Sequence, residues 1–200
     1  MNYFKKLFSS KVIIPIGIDC GVAKFLEELG LRNFSLPFDW VVSYSGVAKI
    51  IENEFLNYSN EKGINFVHHE FPRDNVKINR RIKRFLNLLK GNQEIIFLRK
   101  GHSEHHHDES NFIKDDLDDC LELYDLLKRK YKNLKFKIIL FVVCSNCFKP
   151  EKKYQSDKVI VYNISEKKHR AELIKKLFHD FENQTGIKKQ YGQRFAELNL

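Results

Sequence analysis

Four stretches of the chain, 11–18, 94–98, 136–143 and 158–164, are apolar at almost every position, and a weaker one spans 64–67. A strand with one face in water alternates apolar and polar residues. Runs without that alternation predict strands covered on both faces, as in a mainly parallel sheet. The segments between them repeat with a helical period. Val22, Phe25, Leu26 and Leu29 mark a first helix that Gly30 can end, and Ala48, Ile51 and Phe55 mark a second. Ile78, Ile82, Phe85, Leu86 and Leu89 mark a third, from Asp74 as N-cap to a stop at Gly91. Ile113, Leu117, Cys120, Leu121, Tyr124 and Leu127 give a long fourth helix, and Ile174, Leu177, Phe178 and Phe181 a fifth. Strands alternating with helices predict an α/β class: three layers, a mainly parallel sheet of about five strands, helices on both faces. Pro15 lacks a ladder donor, so the first strand suits an edge or a bulge. With no internal repeat and no Gly/Ser or Pro-rich linker, the pattern predicts one domain over 1–183 and a basic tail over 184–200.

Composition narrows the function classes. Lys and Arg number 35 against 26 Asp and Glu, a formal charge of 35 − 26 = +9, with 42% apolar residues. A chain of this size buries enough surface to fold without disulfides or metal. No run approaches the roughly 20 apolar residues of a membrane span, and the first residues lack the apolar core and cleavage site of a secretory leader. The four cysteines are scattered, which favours a reducing compartment and makes the cytoplasm the expected location. The positive surplus favours encounter with nucleic acid, acidic glycans or anionic membrane surfaces. Neither a Walker phosphate loop nor Gly-x-Gly-x-x-Gly is present. Nucleotide hydrolysis and dinucleotide redox therefore lack a motif, and no cofactor is called for.

In parallel sheets, ligands bind beyond the carboxyl ends of the strands. The residues leaving the strands are Asp19 and Cys20, His68 and His69, Arg99 to His102, and Cys144 to Cys147. Cys20 stands out, because it opens a helix whose N–H groups and dipole favour a thiolate. Gly17 and Gly21 allow close backbone approach, whereas Asp19 opposes the thiolate unless it points elsewhere. A buried core thiol is the competing reading. A cysteine nucleophile needs a base and the base an orienting acceptor. His69 and His102 are the candidate bases, and Asp39 is the candidate acceptor, against a loop histidine and a turn aspartate as plainer roles.

Other clusters carry less. His102, His105, His106 and His107 with Asp108 and Glu109 are metal-ligand types, but consecutive histidines rarely reach one ion and no matched second pair exists, so no metal site is assigned. Cys144 and Cys147 have redox or half-zinc spacing but lead into loop-forming sequence, which favours a structural role. On the third helix, Lys77, Arg80, Arg81 and Arg84 follow i, i+3, i+4, i+7 spacing and are expected to form one positive stripe, solvated or holding an acidic ligand.

The blocks Ile16-Gly17-Ile18-Asp19-Cys20-Gly21-Val22-Ala23, Gly30-Leu31-Arg32 and Ser35-Leu36-Pro37-Phe38-Asp39-Trp40 resemble a largely uncharacterised family labelled papain-like cysteine peptidases. Phe66-Val67-His68-His69-Glu70-Phe71, Arg80-Arg81-Ile82-Lys83-Arg84-Phe85 and Ile95-Ile96-Phe97-Leu98-Arg99 extend the likeness over roughly 12–145. The resemblance implies a nucleophile at Cys20, with His69 in the family's histidine block and Asp39 in its Phe-Asp-Trp block. Gly17-x-Asp19-Cys20 at a strand exit also looks like the first block of the α/β serine esterases, with cysteine replacing serine. Their spaced Asp and His block has no counterpart, since Asp180 directly follows His179. The expected function is a cysteine-dependent peptidase, amidase or esterase-like hydrolase acting on an acyl, peptide or glycan-linked substrate. The alternative is a noncatalytic module binding an acidic glycan or nucleic acid through the basic helix. The oligomeric state is left open.

Overall fold

A computed structural model describes residues 11–17, 19–28, 32–43, 46–58, 64–101, 116–142 and 157–163. The apolar runs form β1 (Lys11–Pro15), β4 (Glu94–Lys100), β5 (Phe136–Val142) and β6 (Val159–Asn163), all parallel, in the order β1-β4-β5-β6. In register, Ile14 lies beside Phe97, Phe97 beside Ile138 and Ile138 beside Val159. Each rung therefore places one apolar row on the same face, and the next row on the other. Pro15 is the last residue of β1, which ends the described sheet on one side, where a missing ladder donor is tolerated.

The sheet has four strands among the described residues rather than about five. The weak run at 64–67 instead supplies β3 (Ile64–Asn65), which pairs antiparallel with β2 (Val42–Ser43) in a separate two-stranded ribbon. Its side chains alternate between half-buried Ile64 and Phe66 and exposed Asn65 and Val67. That is the in-out pattern of a one-sided ribbon and not of a strand between two layers.

Helices cover both faces. α1 (Gly21–Glu28) buries Val22 and Leu26 against Ile13, Ile96, Leu98 and Ile139. The opposite face, with Val12, Ile14, Ile95, Phe97, Ile138 and Leu140, receives the larger core, to which α2 (Val47–Glu52), α3 (Asn75–Leu89) and α4 (Asp116–Lys130) contribute. Phe38 is the aromatic centre of that core, with Phe55, Tyr58 and Phe85 rings 5.5, 5.9 and 5.8 Å away. α3 begins at Asp74, as its sequence indicates, and Gly91 follows its cap residue Lys90. Asp74 does not cap the helix with its own side chain. It accepts the Glu70 N–H at 2.9 Å and the Lys77 ammonium at 3.0 Å, which hold its pKa at about 2. The expected fifth helix, the 184–200 tail, His102 with its histidine tract, and Cys144 to Cys147 lie outside the described residues.

Candidate active site

β1 runs out at the carboxyl edge of the sheet through Gly17, Asp19 and Cys20, and the end of β4 fixes this turn in place. The Arg99 Nη1 donates to the Ile16 carbonyl at 3.2 Å, and the Lys100 N–H donates to the Gly17 carbonyl at 3.4 Å. The Lys100 ammonium meets Asp19 Oδ2 at 2.8 Å, while Asp19 Oδ1 accepts the Gly21 N–H at 2.7 Å. Asp19 is thus matched by a cation and by the first turn of α1. The carboxylate that the sequence sets against the thiol is occupied on both oxygens.

Arg99 is sealed in the interior at 1% exposed. Two acids on one face of α4, three residues apart, receive it: Asp116 at 2.8 Å and Asp119 at 3.2 Å. Burial works against the guanidinium charge, but Asp119 and Asp116 outweigh it and raise the pKa. Asp119 also accepts the Gly46 N–H at 3.0 Å, joining α4 to the start of α2. Gly17 has φ +103, and a Cβ there would fall 2.0 Å from Ser43 Oγ. Glycine is required on both counts, the left-handed backbone and the near contact with β2. Ser43 is fully buried, and its hydroxyl has no partner among the described residues.

Cys20 is half-buried and free, and its carbonyl accepts the Lys24 N–H at 3.0 Å as α1 begins. Its thiol has no hydrogen-bond partner among the described residues. Cys120, by contrast, is a core residue of α4, 1% exposed.

The other expected members of the site stand in a second network. Asp39 is fully buried, and its Oδ2 accepts Arg32 Nε at 3.0 Å, Arg32 Nη2 at 2.7 Å and the Leu36 N–H at 3.0 Å. Burial raises its pKa against the lowering by Leu36 and Arg32. Arg32 in turn lies over the Trp40 ring at 5.4 Å. Asp39 Oδ2 therefore closes its own loop, while Oδ1 is buried without a partner among the described residues.

His69 Nε2 lies 2.8 Å from Arg81 Nη1. Arginine has no acceptor, so the imidazole accepts here and carries its proton on Nδ1. Nδ1 is buried without a partner among the described residues. Burial first, then the Arg81 charge, lower the His69 pKa. Arg81 also faces Asp39 electrostatically. The imidazole is bonded to a guanidinium, and the acid to a different one, Arg32.

The basic stripe is also redistributed. Arg81 is buried at 9% exposed, because it sits three residues after Ile78 and four before Phe85 on the apolar face. Lys77 is paired with Asp74, and Arg84 donates to the Ser35 carbonyl at 2.7 Å while lying over the Phe34 ring. Arg80 remains exposed. The sequence names Arg99 only as a strand-exit residue; its burial between two acids, Ser43 and the burial of Arg81 were missed. Arg99 was signalled by standing two residues past Phe97 on the same strand face, with Asp116 and Asp119 at helical spacing to receive it.

The family model described as "Putative papain-like cysteine peptidase (DUF1796)" matches residues 11–64 and 56–147, which include β1, α1, the Phe-Asp-Trp loop, α3 and β4. The chain belongs to this family. The matched span contains Cys20, Asp39, His69 and His102. An uncharacterised protein of Acanthamoeba polyphaga mimivirus is similar, 26% identical over 206 aligned positions that cover 76% of this chain and 89% of the relative. No solved structure matches the chain. No helix among the described residues is long and apolar enough to cross a membrane.

Proposed function

We propose that the protein is a cysteine-dependent hydrolase of acyl or amide bonds with Cys20 as nucleophile. The observation that carries this is a half-buried thiol without a hydrogen-bond partner among the described residues, at the head of a helix, on a turn held by Arg99 and Lys100. Attack by Sγ on a carbonyl carbon forms a thioester and expels an amine or alcohol, which takes its proton from the imidazolium. Water then cleaves the thioester, releasing the acid and restoring the thiol. The N–H groups of Val22 and Ala23, in the first turn of α1, are suited to receive the oxyanion. Of the two candidate bases, His69 spends Nε2 on Arg81. His102 follows Lys100, the Asp19 partner, by two residues, and we assign the base to it. Asp39 then acts as a positioning residue for the 32–40 loop.

Alkylation by iodoacetamide should reach Cys20 at least ten times faster than Cys120 and should block turnover of thioester or peptidyl-coumarin substrates. Cys20→Ala should abolish that turnover, and His102→Ala should lower it about 100-fold or more. His69→Ala should retain activity within tenfold. Turnover that survives Cys20→Ala would falsify the assignment.

A further inference from the structure

α3 carries a second feature on its outer side, away from the thiol turn. Residues 80, 83, 84, 87, 88 and 91 recur at i, i+3, i+4, i+7, i+8 and i+11 and line one face of an open groove of about 530 Å³, which Phe34 and Gln93 complete. Arg80, Lys83 and Arg84 bring three positive charges to it, and no lining residue is a carboxylate. Arg80 and Lys83 are exposed and make no hydrogen bond or ion pair among the described residues. Arg84 is preset by its bond to the Ser35 carbonyl and by the Phe34 ring 5.5 Å from its guanidinium, and only its Nη1 is engaged by that bond.

We propose that this groove seats an extended single-stranded nucleic acid. Arg80 and Arg84 are one helical turn apart, so they present charge repeatedly along the groove, as a phosphodiester backbone does and an isolated phosphate does not. Phe34 and Leu88 give an apolar wall for base faces, and the amides of Asn87 and Gln93 offer donors and acceptors to base edges. The chain's +9 charge adds long-range attraction to a polyanion. The site does not depend on Cys20 and stands or falls apart from the hydrolase reading.

The test is fluorescence anisotropy of a labelled 12-nucleotide oligothymidylate with the full chain across a salt series. Three phosphate contacts predict a log–log salt slope of about −2, and the Arg80→Glu/Lys83→Glu pair should reduce it to below about 1 in magnitude and weaken binding at least tenfold. Phe34→Ala should weaken binding with little change in slope. Lys49→Glu/Lys132→Glu, an equal charge change at exposed sites elsewhere, should leave affinity within twofold. The proposal is overturned by unchanged binding in the groove pair, or by equal loss in the distant pair. It is likewise overturned if thymidine monophosphate or a sulfated oligosaccharide competes as well as the strand per anionic group.

Discussion

The two arginine networks use one residue type to opposite ends. Around Arg99, a sealed guanidinium meets two carboxylates and a backbone carbonyl, and the group it steadies is a turn whose thiol stays uncommitted. Around Arg81, the guanidinium meets an imidazole and faces a carboxylate, and each of these keeps one buried polar atom, His69 Nδ1 and Asp39 Oδ1, without a partner among the described residues. An acid and an imidazole can therefore share a charged neighbourhood while each bonds a guanidinium, His69 to Arg81 and Asp39 to Arg32. What matters is which of their polar atoms remain unengaged once the arginines have been satisfied.

The sharpest way to break the contrast is to remove each cation in turn. Arg99→Met takes the sealed cation away from buried Asp119 and half-buried Asp116 and should cost about 3–5 kcal/mol in urea unfolding, since one partner of a buried ion pair is lost. Arg81→Met removes a bond to a neutral ring and should cost less, about 1–3 kcal/mol. Equal losses would place both networks on the same footing. Gly17→Ala comes next: a left-handed backbone and a methyl 2.0 Å from Ser43 Oγ should cost at least about 2 kcal/mol and change the alkylation rate of Cys20, measured on folded protein.

A pH titration separates the networks by a smaller effect. The folded chain lowers the His69 pKa below its ordinary 6.5, so below that pH the unfolded chain binds the proton first. Stability is full above pH 6.5 and falls as pH drops through the folded value. The thermal midpoint should decline over that window in the native chain and decline less in His69→Gln. The smallest effect is at Ser43, where the hydroxyl is buried without a partner among the described residues. Ser43→Ala should leave stability unchanged or raise it by up to about 1 kcal/mol in thermal unfolding.

Most of the fold was legible because burial on both faces writes itself as uninterrupted apolar sequence, as in Ile138, Ile139 and Leu140. β2 was not legible, since two residues, Val42 and Ser43, are too few to show a period, and its partner β3 was mistaken for a strand of the main sheet. Cys20 was legible as a strand exit opening a helix. The engagement of His69 was not, because it depends on Arg81, whose charge disguises a position on the apolar face of α3. Arg81 and Arg99 both sit at core-facing positions, and an arginine placed in a basic stripe or at a strand exit does not by itself declare its burial.

The tether between Asp19 and Lys100 is about one-third exposed on each side, 30% and 35%, whereas Arg99 is closed off at 1%. Dissolved ions reach the first and not the second. In concentrated electrolyte the outer fastening of the thiol-bearing turn should weaken first, while the grip on the Ile16 carbonyl persists.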